Sequence, residues 1–154
     1  MTPLEKGRSF SYLEGMASFP PKRVPATPIE IEVFFDGACP LCLREVQFLH
    51  RLDRKEKILF TDIMAPGFDP KSAGVSWENL MARIYGKLPD GSFVTGVEVF
   101  RYLYGIVGFR FLVPLTRLPG VSALLDLAYK LFAKNRLRLT GRCHGKSCTV
   151  PARE

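Results

Sequence analysis

The chain contains 154 residues, of which 47% are apolar and 24% are charged. A chain of this length is the size of a single domain, and it buries enough surface to fold without a disulfide framework. The composition therefore excludes wholesale disorder, a collagen-like repeat and a coiled coil. Its four cysteines are too sparse for a small, secreted, disulfide-rich protein.

The net charge of +7 does not by itself indicate an anionic partner. The densest basic stretch, 130–142, fits the exposed face and the end of a helix, where the helix dipole favours cations. Because no basic run alternates with aromatic residues, we predict no nucleic-acid binding. Charged residues interrupt the longest apolar stretch, 97–118, so we also predict no association with a membrane.

Residues 1–19 mix charged and short apolar pieces and lack the apolar core of a signal peptide. We therefore predict a cytoplasmic protein. Structural disulfides are uncommon in that compartment, and paired cysteines there indicate redox or metal chemistry.

The chain divides into three predicted segments. Four prolines between positions 20 and 28 indicate an extended leader over residues 1–28. Residues 29–140 form the predicted folded domain. Residues 141–154 form a polar tail that carries Cys143 and Cys148.

The domain opens with a predicted strand, turn and helix. Apolar residues alternate with others from Ile29 to Phe35, which is the period of a strand. Asp36 and Gly37 then supply a turn, and Pro40 suits the first position of a helix because its missing N–H costs nothing there. Apolar residues recur at helical spacing after Pro40, so the helix is amphipathic.

A second strand is predicted from Ile58 to Ile63, followed by a loop over residues 65–74 and a short helix capped by Ser76. Two strands, 82–88 and 92–95, are joined by a turn that contains Pro89, Asp90 and Gly91. Thr95 and Glu98 have the spacing of a capping box for the next helix. A last helix has an apolar face, formed by Val121, Leu124, Leu125, Ala128, Leu131 and Phe132.

This order of elements predicts an α/β protein. A helix between the first two strands indicates that they are parallel, and the last two strands form an antiparallel hairpin. We therefore predict a thioredoxin-like three-layer sandwich, with a central mixed four-stranded sheet, helices on both faces and extra C-terminal helices.

The strongest chemical signal is Cys39-Pro40-Leu41-Cys42, at the mouth of the first helix. Side chains three residues apart on a helix are about 5–6 Å apart at Cβ, so this pair can open and close a disulfide with little backbone movement. Cys39 meets the orphan N–H groups and the positive end of the helix dipole, which favour its thiolate. We predict that Cys39 attacks and that Cys42, one turn deeper and less exposed, resolves.

Two other interpretations compete with a redox pair. In the first interpretation, Cys39 and Cys42 form half of a tetrahedral zinc site, and Cys143 and Cys148 are candidates for the other half. Alternatively, both thiols are inert packing residues, since free cysteine is often buried. A C-x-x-C pair after a strand in a βαβ pattern favours redox chemistry.

The stretch from Asp36 to Cys42 resembles the DCC family of predicted thiol–disulfide oxidoreductases, which is named for its Asp-x-x-Cys-x-x-Cys motif. Four further stretches are similar, and they are 60–63, 95–98, 117–121 and 133–136. The resemblance spans about 31–141. It implies a thioredoxin-like fold, a dithiol–disulfide activity, and Asp36, Cys39 and Cys42 as the site residues.

One feature departs from the broader thioredoxin superfamily, in which a cis-proline usually precedes the third strand and docks substrate backbone. The corresponding run here, 79–82, contains no proline. General reduction of extended peptides is therefore in doubt, and a narrower substrate is favoured.

Asp36 has two interpretations of equal weight, as proton acceptor for Cys42 or as a turn former that accepts backbone N–H groups. Cys143 and Cys148 are incidental surface thiols, a second exchange pair that relays oxidation, or metal ligands.

The predicted function is thiol–disulfide exchange of Cys39 and Cys42 with a protein or low-molecular-weight disulfide, with no cofactor or metal and an unidentified recycling reductant. The alternative is a zinc-binding or partner-binding module without catalysis, which uses the four cysteines.

Overall fold

Four strands form the central sheet of the computed structural model, which describes residues 27–141 and the backbone of 143–144 and 147–148. The strands are β1 (Ile31–Phe35), β2 (Ile58–Asp62), β3 (Tyr85–Lys87) and β4 (Phe93–Thr95). They lie in the order β2-β1-β3-β4. β1 is parallel to β2 and antiparallel to β3, and β3 is antiparallel to β4. The mixed four-stranded sheet is the one predicted.

Six α-helices lie in the described part of the chain. They are α1 (Pro40–Leu52), α2 (Pro70–Ala73), α3 (Trp77–Ala82), α4 (Val97–Tyr104), α5 (Val113–Thr116) and α6 (Pro119–Leu139). A π-helical turn, Gly105–Phe109, follows α4 directly. The predicted α/β architecture with extra C-terminal helices is therefore confirmed.

Helices cover both faces of the sheet because alternate residues of β1 point to opposite sides. Ile31 and Val33 pack with Leu49 of α1 and with Leu103 of α4 in one buried cluster. Phe34 points the other way and packs with a second cluster, which contains Ile63, Ala73, Trp77 and Leu80. The three layers match the thioredoxin-like arrangement.

Two of the predicted boundaries between β2 and β3 are wrong. The predicted loop 65–74 contains α2, which Asp69 caps by accepting the Lys71 N–H at 2.9 Å, and which ends at Gly74 with φ +76°. α3 begins after Ser76 as predicted, but it continues to Ala82. β3 therefore starts three residues later than predicted, because the chain leaves the helix only at Arg83.

The predicted capping box at α4 is also wrong. Thr95 is the last residue of β4 and pairs with Tyr85 in the sheet. Gly96 occupies the N-cap position instead, with φ +63° and no side-chain cap. Glu98 instead forms ion pairs with Arg101 and Arg117. Thr95 therefore pairs in the sheet and does not cap the helix.

The predicted last helix is confirmed as α6, and its apolar face is only partly covered. Leu124 is 66% exposed and Leu131 is 53% exposed. Beyond this helix, β5 (Cys143–His144) and β6 (Ser147–Cys148) pair as a short antiparallel hairpin.

The leader predicted over residues 1–28 falls almost entirely outside the described residues, as does most of the predicted tail 141–154. These two boundaries remain predictions. In the part of the chain that the structure describes, none of the helices combines the length and hydropathy that a membrane span requires.

Candidate functional site

The two cysteines lie at the junction of β1 and α1. Cys39 is the N-cap residue of α1, and its sulfur accepts the backbone N–H of Cys42 at 3.4 Å. Pro40 occupies the first helical turn, as its sequence position predicts. Both cysteines are free thiols. The sequence pattern therefore brings the pair together as expected.

The burial of the two thiols is the reverse of the prediction. Cys39 is 0% exposed, whereas Cys42 is half-buried. Cys39 lies three residues after Asp36, at the end of the turn that leaves the central strand, and like Phe35 and Asp36 it is buried. Cys42, one helical turn on, borders a cavity between α1 and α6. Position in a helix does not by itself determine which side of the helix the fold covers.

The environment separates the acidities of the two thiols. A hydrogen bond from the Cys42 thiol lowers the pKa of Cys39 to about 6, although burial opposes this shift. The Cys42 N–H and the Arg136 guanidinium lower it further. The same hydrogen bond, together with burial, raises the pKa of Cys42. At neutral pH the pair therefore holds one proton, on Cys42, and Cys39 is the thiolate.

Asp36 lies at the buried end of β1, beside the thiols. Its carboxylate accepts the Ala38 N–H at 3.0 Å, so the turn-forming interpretation is confirmed. The other carboxylate oxygen lies 3.6 Å from the Arg136 guanidinium. The role of Asp36 as proton acceptor for Cys42 remains a prediction.

Arg136 is the site residue that the composition argument missed. The sequence predicts that the stretch 130–142 forms the exposed face and the end of a helix, but Arg136 is buried, pairs with Asp36 and donates to the Met81 carbonyl at 2.6 Å. A guanidinium tolerates such burial when its charge and its N–H groups are matched. The signal that could have identified it is the family-like stretch 133–136, in which it is the last residue.

Asp62, at the end of β2, holds the turn that carries the dithiol. Its carboxylate accepts the N–H groups of Gly37 at 2.9 Å and Met64 at 2.8 Å. A Cβ atom on Gly37 would lie only 2.1 Å from that carboxylate. A glycine is therefore required at position 37 for the backbone to approach the Asp62 carboxylate this closely. The stretch 60–63 contains Asp62, so the family resemblance also marks this contact.

A cavity of about 260 Å³ opens beside Cys42. Its interior is mostly apolar, and it is bounded by β1, α1, α4, α6 and the segment that precedes β3. Aromatic residues contribute to its walls, among them Phe60, Phe100, Tyr129 and Phe132. The Tyr129 hydroxyl accepts the Ile84 N–H at 2.9 Å, which ties α6 to the strand end.

No cluster of three or more potential metal ligands is present among the residues that the structure describes. In the hairpin after α6, the backbone register places Cys143 directly opposite Cys148. The side chains of these two residues lie outside the description. The zinc site, the relay and the incidental-thiol interpretations of this pair remain predictions.

The model of the DCC1-like thiol-disulfide oxidoreductase family matches residues 33–142. The chain belongs to this family. The match covers the last three residues of β1, the dithiol and every later element through α6, so the dithiol at the helix mouth is that of a DCC1-like domain. It agrees with the resemblance carried by Asp36, Cys39 and Cys42.

Two curated proteins are similar in sequence to this chain. The chain is 38% identical over 117 residues to an uncharacterized chloroplastic protein of Arabidopsis thaliana, and the match covers 73% of the chain and 54% of that protein. It is 28% identical over 126 residues to the uncharacterized protein YuxK of Bacillus subtilis, with 78% and 86% covered. The chain thus spans about half the length of the Arabidopsis relative. No solved structure matches significantly.

Proposed function

We propose that this DCC1-like protein reduces a disulfide of a protein or small-molecule partner through Cys39 and Cys42. One observation carries the proposal. The Cys39 sulfur lies at the helix N-cap and accepts the Cys42 N–H, and the interaction of the two thiols lowers the pKa of Cys39 and raises that of Cys42. Thiol–disulfide exchange needs these two roles, because the thiolate is the nucleophile and the thiol later resolves the mixed disulfide.

The two electrons of the reaction pass from the cysteine pair to the substrate disulfide, and solvent supplies one proton. The Cys39 thiolate attacks one sulfur of the substrate disulfide, and the S–S bond breaks. The leaving sulfur takes a proton from solvent, and a mixed disulfide joins Cys39 to the substrate. Cys42 then loses its proton and attacks the Cys39 sulfur. The second substrate sulfur leaves and takes up a proton, so that two electrons have passed to the substrate and Cys39–Cys42 is a disulfide.

Asp36 is the proposed acceptor of the Cys42 proton. It is buried beside the pair, and Arg136 balances its charge. A low-molecular-weight thiol or a dithiol protein is the proposed reductant that recycles the disulfide. A reducing compartment such as the cytoplasm suits this direction of exchange.

The burial of Cys39 adds a step to this scheme. A sulfur that is 0% exposed has to be uncovered before a substrate disulfide can approach it. We therefore expect exchange to be slower than the thiolate fraction alone would allow, because the rate also contains the local opening of the helix mouth.

Trapping tests the proposal. In a background with Cys143→Ser and Cys148→Ser, the variant Cys42→Ser should accumulate mixed disulfides through Cys39, since no second sulfur can release the substrate. Cys39→Ser is the matched control and should trap little. Non-reducing electrophoresis and mass spectrometry identify the trapped sulfur. If Cys39→Ser traps as much as Cys42→Ser, the half-buried Cys42 is able to attack and this assignment is wrong.

A further inference from the structure

We propose that the cavity beside Cys42 binds one large apolar side chain of a substrate peptide. That side chain belongs to the residue next to the substrate cysteine whose disulfide is reduced. This inference rests on the proposed exchange reaction and adds its substrate class. The cavity is continuous with the reacting pair, because Cys42 and the preceding Leu41 form part of its wall. Leu41 is 43% exposed, so the cavity opens to solvent next to the dithiol.

The interior of the cavity is suited to an apolar group. The buried apolar residues Val33, Leu49 and Leu103 form part of its wall. Aromatic rings from α4 and α6 lie around this wall, and apolar groups are favoured against such surfaces.

The charged groups that border the cavity are mostly balanced by one another. Asp36 and Arg136 form an ion pair, and Glu45 accepts the Tyr104 hydroxyl at 2.7 Å. Arg83, by contrast, is exposed beside the opening. The two carboxylates and two guanidiniums at the cavity therefore carry no net charge, and the apolar interior favours an apolar side chain.

The size of the cavity selects a side chain rather than a whole ligand. Pockets for drug-sized molecules have volumes of about 300–1,000 Å³, and this cavity has about 260 Å³. A side chain such as Phe, Leu or Met fits such a space. The segment 79–84 lacks the proline that docks substrate backbone in the thioredoxin superfamily, so side-chain binding here supplies recognition that the backbone does not.

Two short peptides test the inference. They differ only in the residue before a cysteine, Phe in one and Ser in the other, and that cysteine is in a mixed disulfide with glutathione. Burial of the Phe side chain predicts a kcat/KM about ten- to hundredfold higher for the Phe peptide. Equal kcat/KM values for the two peptides would overturn the inference without any variant.

A pair of variants on α6 locates the effect. Ala133 borders the cavity, and Ala133→Leu should fill it and reduce the preference for the Phe peptide about tenfold. Ala128 is exposed on the same helix and does not border the cavity, so Ala128→Leu should keep the full preference. A preference that survives Ala133→Leu would place the binding site elsewhere.

A small disulfide separates this inference from the proposed function. The wild-type chain should reduce hydroxyethyl disulfide, which has no side chain to place in the cavity. If it reduces this compound but treats both peptides alike, only the substrate inference fails. If it reduces none of the three, the proposed exchange reaction fails as well.

Discussion

The hydrogen bond between the two thiols is the largest cause of the low pKa of Cys39. Cys42→Ala removes that donor and should raise the pKa of Cys39 from about 6 towards its ordinary value near 9, although the backbone N–H of residue 42 still contributes. Cys42→Ser keeps a hydroxyl donor, so its shift should be smaller. The ultraviolet absorbance of the thiolate, followed against pH, measures both. Equal pKa values in the two variants would show that the side chain of residue 42 does not stabilise the thiolate.

Arg136 and Asp36 act together as a buried ion pair. Arg136→Met leaves the Asp36 carboxylate buried without this cation, which should cost about 3–5 kcal/mol in the free energy of unfolding. Lys134→Met removes an exposed cation from the same helix and should cost almost nothing. Urea denaturation measures both changes.

The double variant Asp36→Asn/Arg136→Met checks the cause of that loss. It removes both charges, and it should recover part of the stability that Arg136→Met loses. The loss of both charges should change the pKa of Cys39 little, because Asp36 raises that pKa and Arg136 lowers it. If the double variant is less stable than Arg136→Met, packing rather than charge explains the role of Arg136.

The turn between β1 and α1 depends on the close contact of Gly37 with Asp62. Gly37→Ala forces the Asp62 carboxylate to move, and such overpacking should cost about 1–3 kcal/mol. Gly120→Ala is the control, because a Cβ atom at this helical position meets nothing within 4 Å. It should be neutral or slightly stabilising. Thermal unfolding of the two variants compares them, and a Gly37→Ala protein as stable as the control would contradict the contact.

The elements that the sequence predicts well are those with local signals. Alternating residues mark β1, Pro40 marks the start of α1, and the turn of Pro89, Asp90 and Gly91 joins β3 to β4. The short helix α2 also has a local signature, since Asp69 and Pro70 begin it and Gly74 ends it. The sequence predicts a loop here instead, because these turn-forming residues favour a loop equally well.

The features that the sequence does not predict are set by tertiary contacts. Arg136 and Asp36 are a hundred positions apart, and no local pattern links them. The order of burial of Cys39 and Cys42 depends on which elements cover the helix mouth, and helical spacing does not contain that information. The Asp-x-x-Cys-x-x-Cys motif therefore locates the site, whereas its electrostatics come only from the fold.

At the scale of the whole molecule, the acidity of the pair links redox state to stability. In the unfolded chain both thiols have a pKa near 9, whereas in the folded chain that of Cys39 falls to about 6 and that of Cys42 rises. Between pH 6 and 9 the unfolded chain binds more protons than the folded one, so stability increases with pH. Above pH 9 the protonated Cys42 reverses this trend, because the unfolded chain then loses its thiol protons. The contribution of the pair to folding is therefore largest near pH 9.

The oxidised protein lacks both titrating thiols, so its stability is the control for the effect of pH on the reduced protein. As the pH falls from 9 to 6, the reduced protein should lose stability relative to the oxidised protein, measured as the difference between their denaturation midpoints. Cys39→Ser/Cys42→Ser should show no such difference under reducing and oxidising conditions in a background with Cys143→Ser and Cys148→Ser. A difference that stays constant over this range would mean that the Cys39 thiolate is not stabilised by the fold. Because stabilising the thiolate favours the reduced state, the same measurement indicates how oxidising the Cys39–Cys42 disulfide is.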